Sequence, residues 1–286
     1  MRLEPLDGPF GCAIHGVDLS QMIDDETFRA ITQALYDHRV VVIRGQRLDK
    51  DAFLAFGRRW GEPIPHVLDH LRMPGYPEML EIGNLAPHAG DAEVRNGAAF
   101  WHTDQSYEAV PASATMLYAI KMPEVGGETR IADTKTAYDD LDDATKQRIE
   151  GLNAMHFYGA TAREDGPHIA APLKNKDQED KVPPIPHPIA RPHEVTGTKA
   201  LFAVSGTAYA VEGMAGDEGK SLLTGLKTHA LQDKYVYEHR YEVGDIAIWD
   251  TQMTLHCAKP IDLPDGASTE RQLWRISVRG KPAIYQ

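Results

Sequence analysis

The chain has 286 residues, 42% hydrophobic and 25% charged, and its formal charge is 30 − 42 = −12. That acidity, with no basic run, argues against nucleic acid and anionic membrane surfaces as partners, and no stretch approaches the roughly 18 apolar residues of a membrane span. Only Cys12 and Cys257 are present, which argues against a disulfide framework or thiolate zinc site, and the N-terminus lacks a signal-peptide core; the expectation is a cytoplasmic protein folded as one domain over residues 1–286.

Residues 8–19 alternate small and apolar residues around glycines and predict a short hairpin. Asp24-Asp25 reads as a helix cap, followed by an apolar face of Phe28, Ile31 and Leu35. Val40 to Ile43 is a continuous β-branched run, the mark of a buried strand, and Gly45 closes it. Asp49 or Asp51 opens a second helix with Phe53, Phe56 and Trp60 on one face, and Gly61 stops it. Residues 63–97 are rich in Pro, Gly, His and Asn, with one strand-like run at 79–82. Long irregular segments of this kind often wall a site.

Residues 114–120 predict a strand, 124–127 a turn, 128–132 the next strand and 141–152 a helix. Residues 159–198 carry seven prolines, a charged run at 174–181 and no helical or strand period. That pattern predicts a long surface loop, either a lid or a solvated insertion. Strands are expected at 200–204, 245–249, 251–255 and 273–278, and a helix at 218–231. Many short strands, few helices and no repeat predict a mainly β fold with flanking helices, an antiparallel barrel or jelly roll.

Chemistry concentrates in Phe100-Trp101-His102-Thr103-Asp104-Gln105-Ser106-Tyr107. Of the thirteen histidines, His102 is the only one with an aspartate two positions on. In extended chain, residues i and i+2 project to the same side, so one imidazole and one carboxylate can meet at a single cation. A second histidine would complete the two-histidine, one-carboxylate face that suits non-haem Fe(II) and leaves positions open. Twelve other histidines compete for that place. His256 stands out because it follows a strand-like segment that itself follows a buried apolar strand. Arg271 and Arg275 lie 15 and 19 residues beyond it, and strand period two puts them on one face. Two guanidiniums on an otherwise apolar face are costly to bury unless anions meet them.

Taken together these motifs resemble the taurine dioxygenase / 2,4-dichlorophenoxyacetate dioxygenase family of Fe(II)- and 2-oxoglutarate-dependent oxygenases. The resemblance runs through Val42-Ile43-Arg44-Gly45-Gln46, Trp101-His102-Thr103-Asp104, Gly126-Gly127-Glu128-Thr129, Asp245-Ile246-Ala247-Ile248-Trp249-Asp250, His256, and Arg271 with Arg275. It implies a double-stranded β-helix (jelly roll), with Fe(II) held by His102, Asp104 and His256. It further implies 2-oxoglutarate and O2 as cosubstrates, Thr129 and Arg271 on the 2-oxoglutarate, and Arg275 on an acidic group of a small-molecule substrate. His66, Gln105 and Tyr107 are the further expected substrate contacts, while Trp249 is read as a core residue. Family members often form dimers or tetramers, so a homo-oligomer is expected. The spacing between His256 and Arg271 is longer than in taurine dioxygenase, which allows Arg271 and Arg275 to exchange roles. The taurine-contacting set is not reproduced around Asn96, 161–162 and Thr207. The competing readings are a zinc hydrolase built on the same three ligands and a catalytically silent binding relative.

Overall fold

The computed structural model describes residues 1–158, 173, 175–202 and 204–286. A hairpin of β1 (Arg2–Pro5) and β2 (Cys12–His15) is followed by α1 (Asp25–His38), β3 (Val40–Ile43), α2 (Lys50–Trp60), β4 (Glu62–Pro63), β5 (Arg72–Met73) and β6 (Tyr76–Ile82). A single turn, α3 (Ala92–Arg95), precedes β7 (Ala114–Lys121), β8 (Thr129–Asp133), α4 (Thr134–Asp139), α5 (Asp143–Ile149) and β9 (Asn153–His156). Then come α6 (Lys176–Lys181), β10 (Ile185–Pro188), β11 (Ala190–Pro192), β12 (Lys199–Leu201), β13 (Ala208–Val211) and α7 (Gly216–Ala230). The chain closes with β14 (Val236–His239), β15 (Ile246–Asp250), β16 (Thr254–Ala258) and β17 (Gln272–Arg279). No described helix is long and apolar enough to cross a membrane.

A nine-stranded sheet runs β1-β2-β3-β15-β7-β17-β6-β5, with β4 also paired to β17, and a smaller sheet runs β14-β8-β16. Strand period two divides the large sheet cleanly. Val41, Ile43, Met116, Tyr118, Ile246, Ile248, Ile276 and Val278 face α1 and α2, packing against Phe28, Ile31, Leu35, Phe53, Phe56 and Trp60. Their neighbours Val40, Val42, Leu117, Ala119, Ala247, Trp249 and Leu273 share the other core with Ile131 of β8 and Tyr237 of β14. The two sheets therefore sandwich an interior, as in a jelly roll. The helices start where expected: the Asp24 and Asp49 carboxylates cap α1 and α2, accepting from Thr27 N at 2.6 Å and Ala52 N at 2.8 Å.

Several boundaries differ from the sequence-based expectation. The first hairpin begins at Arg2, ahead of residue 8. The helix expected over 141–152 is the shorter α5, capped by Asp142, and α4 precedes it. The strand expected at 200–204 ends at Leu201. The strand expected at 251–255 starts only at Thr254, because the Asp250 carboxylate accepts from Gln252 N and bends the chain into a turn. His256 thus lies inside β16. The loop expected over 159–198 contains α6, β10 and β11; residues 159–172 and 174 lie outside the described residues. Pro186 and Pro188 are compatible with β10 because it is an edge strand in the order β10-β9-β13, where an absent N–H need not break a ladder.

Candidate metal and cosubstrate site

His102 and His256 face each other across an isolated antiparallel bridge, each main-chain N–H donating to the other's carbonyl at 2.9 Å. That pairing brings a loop residue to the middle of β16 and sets the two rings 4.2 Å apart. Asp104 follows two residues on, and one donor atom from each of the three lies within 4.8 Å of the others. His102 Nε2 is 3.8 Å from Asp104 Oδ1, and His256 Nε2 is 3.5 Å from Asp104 Oδ2. These separations exceed a hydrogen bond, so the donor atoms converge without satisfying one another.

The surroundings prepare them for a cation. His102 Nδ1 donates to Phe100 O at 2.7 Å, which puts the proton there and leaves a lone pair at Nε2. Burial, the largest cause for both rings, pushes His102 down and His256 down to about 3, so both imidazoles are neutral at pH 7. The His256 ring also lies 4.6 Å from that of Trp249. Burial pulls the Asp104 carboxyl up, but the groups around it, the Arg275 guanidinium foremost, outweigh it and hold the group well below the usual carboxylate range. Thr115 Oγ1 donates to Asp104 Oδ2 at 2.6 Å, and Arg275 Nη2 donates to Oδ1 at 2.6 Å and to Ser277 Oγ at 2.9 Å. Two neutral imidazoles and a buried, oriented carboxylate make the donor set of a facial Fe(II) site, and the residues fit that ion.

A cavity of about 200 Å³ opens on these three residues, and Thr129, Arg271, Arg275, His66, Gln105 and Tyr107 all line it. Each of the nine residues singled out in the sequence therefore reaches one space. Arg271 is 4% exposed, Nε donates to Gly127 O at 3.1 Å, and no carboxylate among the described residues lies within ion-pair distance. A buried cation held by neutral groups alone is a site for an anion. Thr129 Oγ1 accepts from the Tyr241 hydroxyl at 2.9 Å, which leaves its own proton to be donated into the cavity.

His66 Nδ1 accepts from Leu68 N at 3.1 Å, so its proton sits on Nε2. Burial first and the charge of Arg275 second push this ring down to about 3. Tyr107 packs edge-on against Tyr158, with centroids 4.8 Å apart. Gln105 is 3% exposed and takes a φ of +50°, a left-handed conformation uncommon for a non-glycine residue, and its Oε1 is buried without a hydrogen-bond partner among the described residues. Trp249 is in the core, as expected, and also lines the cavity. Thr115, Ser277 and Tyr241 escaped sequence reasoning. The one local signal for the first two was their place on the inward period of β7 and β17.

The chain from residue 2 to residue 277 matches the family model described as "Taurine catabolism dioxygenase TauD, TfdA family". An alpha-ketoglutarate-dependent 2,4-dichlorophenoxyacetate dioxygenase of Cupriavidus pinatubonensis is 31% identical over 283 residues, covering 96% of each chain. An (S)-phenoxypropionate/alpha-ketoglutarate-dioxygenase of Sphingobium herbicidovorans is 30% identical, covering 98% of this chain and 96% of the relative. Among solved structures, AAD-2 in complex with Mn(II) and N-oxalylglycine superposes with a TM-score of 0.80 at 26% identity, covering 98% of this chain and 97% of the other.

Proposed function

The chain belongs to the TauD/TfdA family and is a 2-oxoglutarate-dependent dioxygenase, and from that premise we propose how its residues divide the work. His102, Asp104 and His256 would hold Fe(II). When bound, the iron supplies the oxidation of a substrate C–H bond by O2, coupled to conversion of 2-oxoglutarate to succinate and CO2. The other assignments concern what the chain itself does.

Arg271 binds the distal carboxylate of 2-oxoglutarate, and Thr129 donates a hydrogen bond to the same molecule. Supporting this are the buried guanidinium without a carboxylate partner and the Thr129 hydroxyl oriented by Tyr241. N-oxalylglycine, bound by the AAD-2 neighbour, is itself a dicarboxylate of the same length. Arg275, with the neutral Nε2–H of His66, receives an acidic group of the substrate, a carboxylate or a sulfonate. The relatives named for phenoxyacetate and phenoxypropionate support a substrate of that kind. Gln105 and Tyr107 contact the remainder. The role of these groups is to place one C–H bond and to exclude water from it.

The observation that carries the proposal is the convergence of the His-Asp-His donors and the unpaired Arg271 on one cavity. Nothing comparable favours the zinc hydrolase: Glu81, the one other carboxylate lining the cavity among the described residues, accepts from Gln272 Nε2 at 2.9 Å. Residues 1–286 form one catalytic unit on this reading, and residues 175–198 serve as part of its cover. Val182 supports the latter, since it packs with Leu68, Tyr107 and Tyr158. A cytoplasmic location agrees with two free, buried cysteines, and assembly as a dimer or tetramer completes the reading.

Asp104→Ala tests it. Succinate formation from 2-oxoglutarate, Fe(II) and ascorbate should vanish, and with it the visible band that Fe(II) and 2-oxoglutarate give anaerobically, while far-UV circular dichroism stays that of the parent. Undiminished turnover would refute the assignment.

A further inference from the structure

Most arginines of this acidic chain sit against carboxylates: Arg39 with Asp133, Arg44 with Asp245, Arg59 with Asp25 and Arg148 with Glu218. Three arginines line the cavity, Arg95, Arg271 and Arg275. The division of roles above assigns an anion to Arg271 and another to Arg275. Arg95 is left over.

Its side chain is held in place. Nε donates to Ile261 O at 2.9 Å and Nη1 to Ala89 O at 2.5 Å. Asn96 seals the same junction, its Oδ1 accepting from Ile261 N at 2.9 Å and its Nδ2 donating to Ile261 O at 3.2 Å. Asn84 binds the far side of that loop through Asp262 O at 3.0 Å and Thr269 O at 2.8 Å. The long connection between His256 and Arg271 is thereby fastened to residues 84–96, and it holds Arg95, a residue of the cavity wall, in a fixed position. Carbonyls orient a guanidinium but do not neutralise it, and no carboxylate among the described residues lies within ion-pair distance of Arg95. A preorganised, uncompensated guanidinium is the usual receptor for a carboxylate, sulfonate or phosphate group. The wall it shares is apolar, built from Leu68, Leu71, Val94, Phe100, Tyr107 and Tyr158.

We infer that Arg95 forms a second anion-binding subsite, and that the preferred substrate carries two acidic groups joined by an apolar body. This rests on the reading of Arg275 as the first substrate anchor. Arg275 takes one end, Arg95 the other, and the apolar wall packs the middle.

The test is calorimetric. Protein is loaded with Mn(II) and then titrated with 2-oxoglutarate to saturation, which reports on the metal and Arg271 reading by itself. It is then titrated with straight-chain dicarboxylic acids from adipic to dodecanedioic acid, each paired with the monocarboxylic acid of equal length. At one chain length the diacid should bind about ten-fold tighter than its monoacid, the worth of one charge-assisted hydrogen-bonded pair. In Arg95→Met that ratio should collapse towards one, and in Arg95→Lys it should be partly kept. Equal affinities for diacids and monoacids, or no binding of either, would overturn the second subsite. So would equal weakening of both in Arg95→Met, because the residue would then serve only to fasten the loop. Failure of the preceding 2-oxoglutarate titration would instead strike the reading of the iron site.

Discussion

Two side chains that no motif names help to decide how Asp104 is presented. Thr115 and Ser277 lie opposite each other in the register of β7 and β17, their hydroxyls 2.9 Å apart, and with Arg275 they bracket the carboxylate. Thr115→Val keeps the shape and removes the donor to Oδ2. Fe(II) affinity should fall about 10–100-fold, the usual cost of losing an outer hydrogen bond to a ligand; a metal titration with unchanged affinity would reduce the hydroxyl to a space filler. Arg271 is tested differently. Arg271→Ala should raise KM for 2-oxoglutarate by roughly 30-fold or more, since losing a buried charge-assisted pair costs about 2–5 kcal/mol. Should Arg275→Ala produce that effect on 2-oxoglutarate in its place, the two arginines have exchanged roles.

Strands place these residues, and one glycine controls how closely two of them approach. Gly83 follows β6 with φ +118°, and a Cβ there would lie 2.2 Å from Arg271 O. Neither the backbone conformation nor the space admits a side chain. Gly83→Ala must therefore displace the main chain at the start of β17, where Asn84 Oδ1 accepts from Arg271 N at 2.7 Å. A stability loss above about 1 kcal/mol is expected, together with a raised KM for 2-oxoglutarate. A variant that melts and binds like the parent would mean that this junction yields. On the opposite side of the sheet the same strands pack against α1 and α2, which keeps the inward period of β7, β15 and β17 in register with the metal ligands.

For the molecule as a whole, buried imidazoles away from the metal tie stability to pH. His156 is fully buried, hydrogen-bonds among the described residues only through Nδ1 to Thr207 Oγ1 at 3.1 Å, and is pushed by burial, then by His187, down to about 3. His239 is pushed down to about 3 as well, again mainly by burial. Between pH 3 and 6.5 the unfolded chain takes up protons that the folded one refuses. Their contribution is therefore complete above pH 6.5 and falls as the medium is acidified. Asp250 acts in the opposite sense: burial raises it to about 8, so its contribution declines as pH rises from about 4 to 8. His156→Gln should flatten the acid limb by about 1.4 kcal/mol per pH unit, read from urea unfolding of the metal-free protein. An unchanged slope would show that His156 is protonated in the fold.

Local chemistry made much of this protein legible in advance. Asp24 and Asp49 announce helices because a carboxylate just before an apolar period satisfies free N–H groups. Val40 to Ile43 announces a strand covered on both faces, since no polar position interrupts it. His102 and Asp104 share a side of an extended segment because their spacing of two is a property of the backbone. The place of His256 after a strand-like segment singled it out among the remaining histidines, but only the tertiary fold set it beside His102, through a bridge across residues far apart in sequence. Thr115, Ser277 and Tyr241 came to the site in the same way, as did Arg95 through a loop whose length, read from sequence, only signalled a departure. The physical reason is that periodicity belongs to neighbours along the chain. Which side chains meet across a cavity depends on strand register and loop fastening, and those are settled by packing of the whole.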